Sequence, residues 1–219
     1  MHSSIGLKFM MAVSGLYFVF FVLFHMYGNL KILAGHEAFD EYAHHLRTMF
    51  MPILPYEGFL WIFRLTLIVA IVAHVYSAVT LWGRADKARG TKYVVKKAAA
   101  ASLSSKWMRW GGVALLAFII FHLGQFTLLW INVGGTFGTP AERVVAAFQH
   151  WWLTLIYVIA LIALAMHLHH GVWSACQTLG WTNTAKSRAT ANTAGVVISA
   201  VVVIGFLIPP LAILFGAIK

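Results

Sequence analysis

Five apolar runs alternate with short polar segments along the 219-residue chain. A helix needs about 20 apolar residues to cross a hydrocarbon core. The runs at roughly Gly6–Leu33, Gly58–Trp82, Met108–Val133, His150–Gln177 and Thr193–Ala217 qualify. They predict an all-α polytopic membrane protein with five transmembrane helices. Residues 1–219 form a single integral membrane domain, with a four-helix bundle from the first four spans and the fifth outside it or bracing it. Pro209 and Pro210 fall late in the fifth run, where they are expected to kink or end it. The first run is too long for a signal-peptide core and lacks a small-residue cleavage pattern after it, so it reads as retained.

Composition narrows the class. With 61% hydrophobic and 10% charged residues, the chain has too little charge to cover a water-soluble domain of this size. The net charge of +10 would suggest a nucleic-acid partner in a soluble protein, but its distribution excludes that reading. Arg84, Lys87, Arg89, Lys92, Lys96, Lys97 and Lys106 lie between the second and third runs, with Arg109 just inside the third. Lys8, Lys186 and Arg188 fall on the same side. The opposite loops hold Glu37, Asp40, Glu41, Glu57 and Glu142, with Lys31, Arg47 and Arg143 as positives and Lys219 at the end. The positive-inside rule therefore predicts a multi-pass protein of the cell membrane, N-terminus cytoplasmic and C-terminus outside. Cys176 is alone, so no internal disulfide and no self-contained iron–sulfur cluster is expected.

Candidate chemistry lies inside the spans. His25, His74, His122 and His167 sit one apiece in the first four runs. An imidazole in hydrocarbon needs a partner, and ionisable residues there mark functional sites by default. Alternating span direction puts His25 and His122 at one level, the outer, and His74 and His167 at the other, the inner. Two levels of paired neutral imidazoles suit two bis-histidine haem irons. A CxxCH motif is absent, so ligation and packing would hold the haem. Ser14 and Gly111, each 11 residues before a histidine, lie three turns away on the same face and leave room for a planar group. Candidate propionate partners are Lys31 at the outer level and Ser14, Arg84, Trp107 or Gln177 at the inner. His169 and His170, beside His167, leave the fourth ligand open on spacing alone.

The segments HMYGNLKI from His25, PILPYEGFLWIFR, AHVYSA around His74, FIIFHL around His122 and MHLHHGVWSACQTLGW carry a family resemblance over essentially the whole chain. The sequence resembles the five-helix, two-haem cytochrome b membrane-anchor subunit of succinate:menaquinone oxidoreductases and fumarate reductases, especially actinobacterial members. The resemblance implies axial ligands paired first with third and second with fourth. It selects His167, four residues before Gly171, and leaves His170 as a propionate or second-shell neighbour and reserve ligand. Ala165 stands where some relatives carry a proton-conducting glutamate, which puts a transmembrane proton path in doubt.

The resemblance further implies a flavoprotein partner holding FAD and an iron–sulfur partner, both on the cytoplasmic side. Electrons from succinate would pass by the clusters and two haem b groups to menaquinone, in a complex that assembles as a trimer. Quinone is expected near the outer level, where Asn29, Lys31, His44, His45, Arg47, Glu57 and Trp130 supply polar groups. Two alternatives remain on sequence: the cytochrome b anchor of another quinone-linked dehydrogenase, and a non-redox membrane transporter or metal carrier.

Overall fold

The computed structural model describes residues 3–88, 99–136 and 138–219, without the side chains of 99–106. Arg89, Lys92, Lys96 and Lys97 of the basic segment lie outside the described residues, as does the Lys106 side chain. The described residues are all-helical, with seven α-helices and no strand. These are α1 (Ser4–Leu30), α2 (His36–Thr48), α3 (Gly58–Lys87), α4 (Ala99–Phe126), α5 (Pro140–Phe148), α6 (Trp151–Thr178) and α7 (Ala185–Leu214). Five of them, all but α2 and α5, are long and apolar enough to cross a membrane. Helices are the form an apolar chain takes in lipid, because each satisfies its own backbone donors and acceptors.

The surface matches that environment. Val69 and Ile120, mid-helix in α3 and α4, are 68% and 67% exposed. Apolar side chains ring the long helices, where a water-soluble helix would show one polar face.

Helix ends depart from the limits of the apolar runs. The third run was expected to stay in span to Val133, but α4 stops at Phe126. The backbone then doubles back, with the N–H groups of Trp130 and Ile131 both donating to the Gly124 carbonyl (2.8 and 3.2 Å). α7 begins at Ala185, ahead of the apolar run, on a Thr184 cap whose hydroxyl accepts from Ser187 N–H (3.0 Å). It then continues through Pro209 and Pro210 to Leu214, so neither proline ends it. Both prolines are buried against the neighbouring helices, a setting in which membrane helices tolerate them.

Packing sets the frame of the site. α6 lies along α7; α1 packs on α3, α6 and α7; α4 packs on α6. The helices that carry each histidine pair, α1 with α4 and α3 with α6, are not among the closely packed pairs. α2 and α5 close one end. There Ile32, Ala141, Val144, Val145, Phe148 and Ile213 form a buried cluster, joined by Phe39, Phe126 and Tyr157. α5 starts on a Thr139–Glu142 capping box with Pro140 in its first turn, and Ala141 N–H donates to Asp40 Oδ1 of α2 (2.9 Å).

Candidate functional site: two histidine pairs within the helix bundle

The structure brings the four span histidines together two by two. The His25 and His122 ring centroids are 5.7 Å apart, and those of His74 and His167 are 6.2 Å apart. Two imidazoles on opposite sides of one metal, with bonds of about 2 Å, have centroids about 6 Å apart. The rings reach this spacing across the helix pairs that do not pack closely.

Each pair has its own surroundings. Around the first, Phe21 stacks on His25 (5.3 Å), and Phe118 stacks on His122 (5.8 Å). Phe206 of α7 lies against His25 and Phe126 against His122. This pair sits within about a turn and a half of the ends of α1 and α4, directly under the α2/α5 layer. Around the second, Phe18 meets His74 edge-on (6.2 Å). Glycines make the remaining room. A Cβ on Gly15 would stand 3.3 Å from His74 Cε1, and one on Gly112 would stand 3.5 Å from His167 Cε1. Gly111, the expected space-maker, is buried, and no described atom lies within 4 Å of where its Cβ would stand, so room is left there too.

One ring of each pair is anchored through Nδ1. His74 Nδ1 is 3.2 Å from Ser14 Oγ, and that hydroxyl donates to the Met10 carbonyl (2.7 Å). His122 Nδ1 is 3.0 Å from the Tyr157 hydroxyl, which donates to Gln125 Oε1 (2.9 Å). His167 Nδ1, the nitrogen that anchors the other two rings, is buried and has no partner among the described residues.

The neighbouring histidines separate from the pair. His169 Nε2 lies 3.1 Å from Asn192 Oδ1 of α7, which directs it away from His74. His170 packs against Trp173 (6.0 Å). His167 is the ring that faces His74, although spacing alone had left the three open.

The other sequence-predicted residues are more scattered. Ser14 is buried and contacts His74 itself. Lys31 lies over the Tyr27 ring (4.7 Å). Arg84 Nη1 donates to Ser4 Oγ (2.9 Å), Trp107 is exposed, and Gln177 is exposed in the last turn of α6. Among the quinone candidates, the described contacts join only Arg47 and Glu57. Arg47 Nε donates to Glu57 Oε1 (3.2 Å), Glu57 N–H donates to the Arg47 carbonyl (2.7 Å), and Arg64 lies 4.0 Å from Glu57 Oε2. These bonds hold Glu57 at φ 61°, a left-handed conformation uncommon for a residue with a Cβ. His44 and His45 are exposed on α2, Asn29 Nδ2 donates to its own helix at the His25 carbonyl (2.8 Å), and Trp130 is exposed beyond α4. Beside them, burial and the nearby Tyr27 hydroxyl hold the Tyr42 hydroxyl above the ordinary phenol range.

Sequence reasoning missed Gly15, Gly112, Tyr157 and Gln125. A signal existed for the glycines, each ten residues before a span histidine. None marked Tyr157 or Gln125, whose role is visible only in the contact between α4 and α6.

The residues fit a metal-centred group on two counts. The paired rings have metal-bridging spacing, and glycines face them. Comparison of the chain with family models, with curated proteins and with solved structures found no match.

Proposed function

We propose that this chain is the di-haem cytochrome b membrane anchor of a quinone-linked dehydrogenase of the succinate:menaquinone oxidoreductase kind. The observation that carries the reading is the pairing of four span histidines at two levels, across helices that are not among the closely packed pairs. His25 with His122 and His74 with His167 would be the axial ligands of two haem b groups. Bound there, bis-histidine haem supplies one-electron carriage and has no open position for oxygen activation.

The chain's own residues do the rest. Apolar spans hold the imidazoles neutral, the state that ligates iron. Gly15 and Gly112 keep the rings' flanks clear, and the aromatic side chains around His25 and His122 exclude water. The end that gathers Lys8, Arg84, Lys87, Arg109, Lys186 and Arg188 would face the cytoplasm and receive the iron–sulfur and flavoprotein subunits. At the opposite end, the Arg47–Glu57–Arg64 network and exposed His44 and His45 offer donors and a proton-exchanging carboxylate for menaquinone. On this reading the chain is an oxidoreductase subunit of the cell membrane, in a complex that forms trimers.

The test is a redox-titrated visible spectrum with pyridine-haem quantification of the purified chain, His74→Ala and His122→Ala. Two b-type haems in the unmutated chain, with each variant losing a different redox component, are expected. A colourless chain would leave a transporter or metal carrier, and a single haem would make two of these histidines structural.

A further inference from the structure

We propose that Tyr157, backed by Gln125, is a positioning residue that fixes the tautomer of His122 and tunes the His25/His122 site. The inference rests on the haem reading above and goes beyond it to the ligand's own protonation.

A phenol has a single O–H to give. Tyr157 gives it to Gln125 Oε1 at 2.9 Å, a carbonyl oxygen that only accepts, in the amide orientation that leaves Gln125 Nε2 without a partner among the described residues. The contact between the Tyr157 oxygen and His122 Nδ1 at 3.0 Å therefore has the histidine as donor. His122 is the Nδ1–H tautomer, and its Nε2 lone pair is left for a metal. Gln125 is 1% exposed, so no water competes for the proton it accepts. The Tyr157 ring is clamped edge-on between Phe118 (4.9 Å) and Phe148 (4.8 Å), which fixes where the hydroxyl stands.

A partner on the far nitrogen of a ligating histidine sets ring orientation and raises ligand basicity. A more basic ligand favours the oxidised iron, so the relay lowers the potential of its own site. The other pair is anchored with the same polarity by simpler parts, since the Ser14 hydroxyl donates to the Met10 carbonyl and leaves its oxygen to accept from His74. The two sites thus differ in what stands behind their ligands, which is a built-in source of unequal potentials.

The test is a redox titration of the haem-loaded chain carrying Tyr157→Phe, Gln125→Leu and both together. Tyr157→Phe keeps the ring between Phe118 and Phe148 and removes only the hydroxyl. It should raise the midpoint of the component that His122→Ala abolishes and leave the other unmoved. The expected size is roughly threefold to tenfold in the oxidised-to-reduced ratio at fixed potential, tenfold being about 59 mV for one electron. Gln125→Leu should move the same component the same way by less. The double variant should match Tyr157→Phe alone, because the amide acts through the hydroxyl. Unchanged midpoints in Tyr157→Phe, or equal movement of both components, would overturn the proposal. A colourless unmutated chain would overturn the haem reading and this inference with it, and is distinguished by needing no variant to appear.

Discussion

Gly15 and Gly112 show how the site is built one residue at a time. Each lies on a helix that carries a histidine, yet each makes room for a histidine of the other pair, Gly15 of α1 for His74 and Gly112 of α4 for His167. At 3.3 Å from Cε1, a methyl at Gly15 is already tight, and a branched side chain has nowhere to go but into the ring. Gly15→Leu should therefore abolish the redox component assigned to His74 and His167 and spare the other. Gly15→Ala should retain both, with a shifted spectrum. The histidines and their pairing by level were legible in the sequence, because hydrocarbon makes any imidazole conspicuous. The room-makers were half legible. A spacing of 11 residues keeps a side chain on the face of its own helix's histidine, so it pointed to Ser14 and Gly111. The small residues in fact serve a ring arriving from another helix, a relation that single-helix periodicity does not contain. Tyr157 was hidden for the same reason, as a tyrosine in an apolar run looks like any other core or interfacial aromatic.

At the scale of elements, hydropathy located the spans better than it located the helices. Lipid thickness governs the length of an apolar run, whereas capping governs where a helix begins and ends. α7 starts with the polar turn that follows Thr184, and α4 stops where Gly124 offers its carbonyl to the returning chain. The short helices α2 and α5 fell in stretches read as loops. Their importance lies in tertiary contact, since together they cover the His25/His122 level. Two substitutions separate local from packing effects. Thr139→Ala removes the α5 capping box and should cost about 1 kcal/mol. Gly195→Ala puts a methyl against the His169 carbonyl, 2.7 Å from the ideal Cβ position, and should cost about 1–3 kcal/mol by wedging α7 off α6. Thermal unfolding in detergent, followed by circular dichroism, should place the two variants in that order, with Gly195→Ala lower.

Among the described residues, the excess of positive charge lies at one end. Arg84 reaches Ser4 at the start of α1, and Arg109 of α4 pairs with Asp86 of α3 at 3.2 Å. Those two contacts put Lys8, Arg84, Lys87 and Arg109 at one end of the bundle. The other end carries Glu37, Asp40, Glu41, Glu57 and Glu142 around the α2/α5 layer. Positive loops resist translocation, so the basic end should stay in the cytoplasm, and each site residue inherits its side from that choice. In a Cys176→Ser background, a cysteine replacing exposed Thr136, between α4 and α5, should react with a membrane-impermeant maleimide added to intact cells. A cysteine replacing exposed Lys186, at the start of α7, should react only after the membrane is opened. The reverse pattern would place the His25/His122 pair beneath the cytoplasmic face. The two pairs would survive that result, because their spacing depends on helix packing and not on orientation. The docking end for soluble partners would not, because charge is the only argument that assigns it.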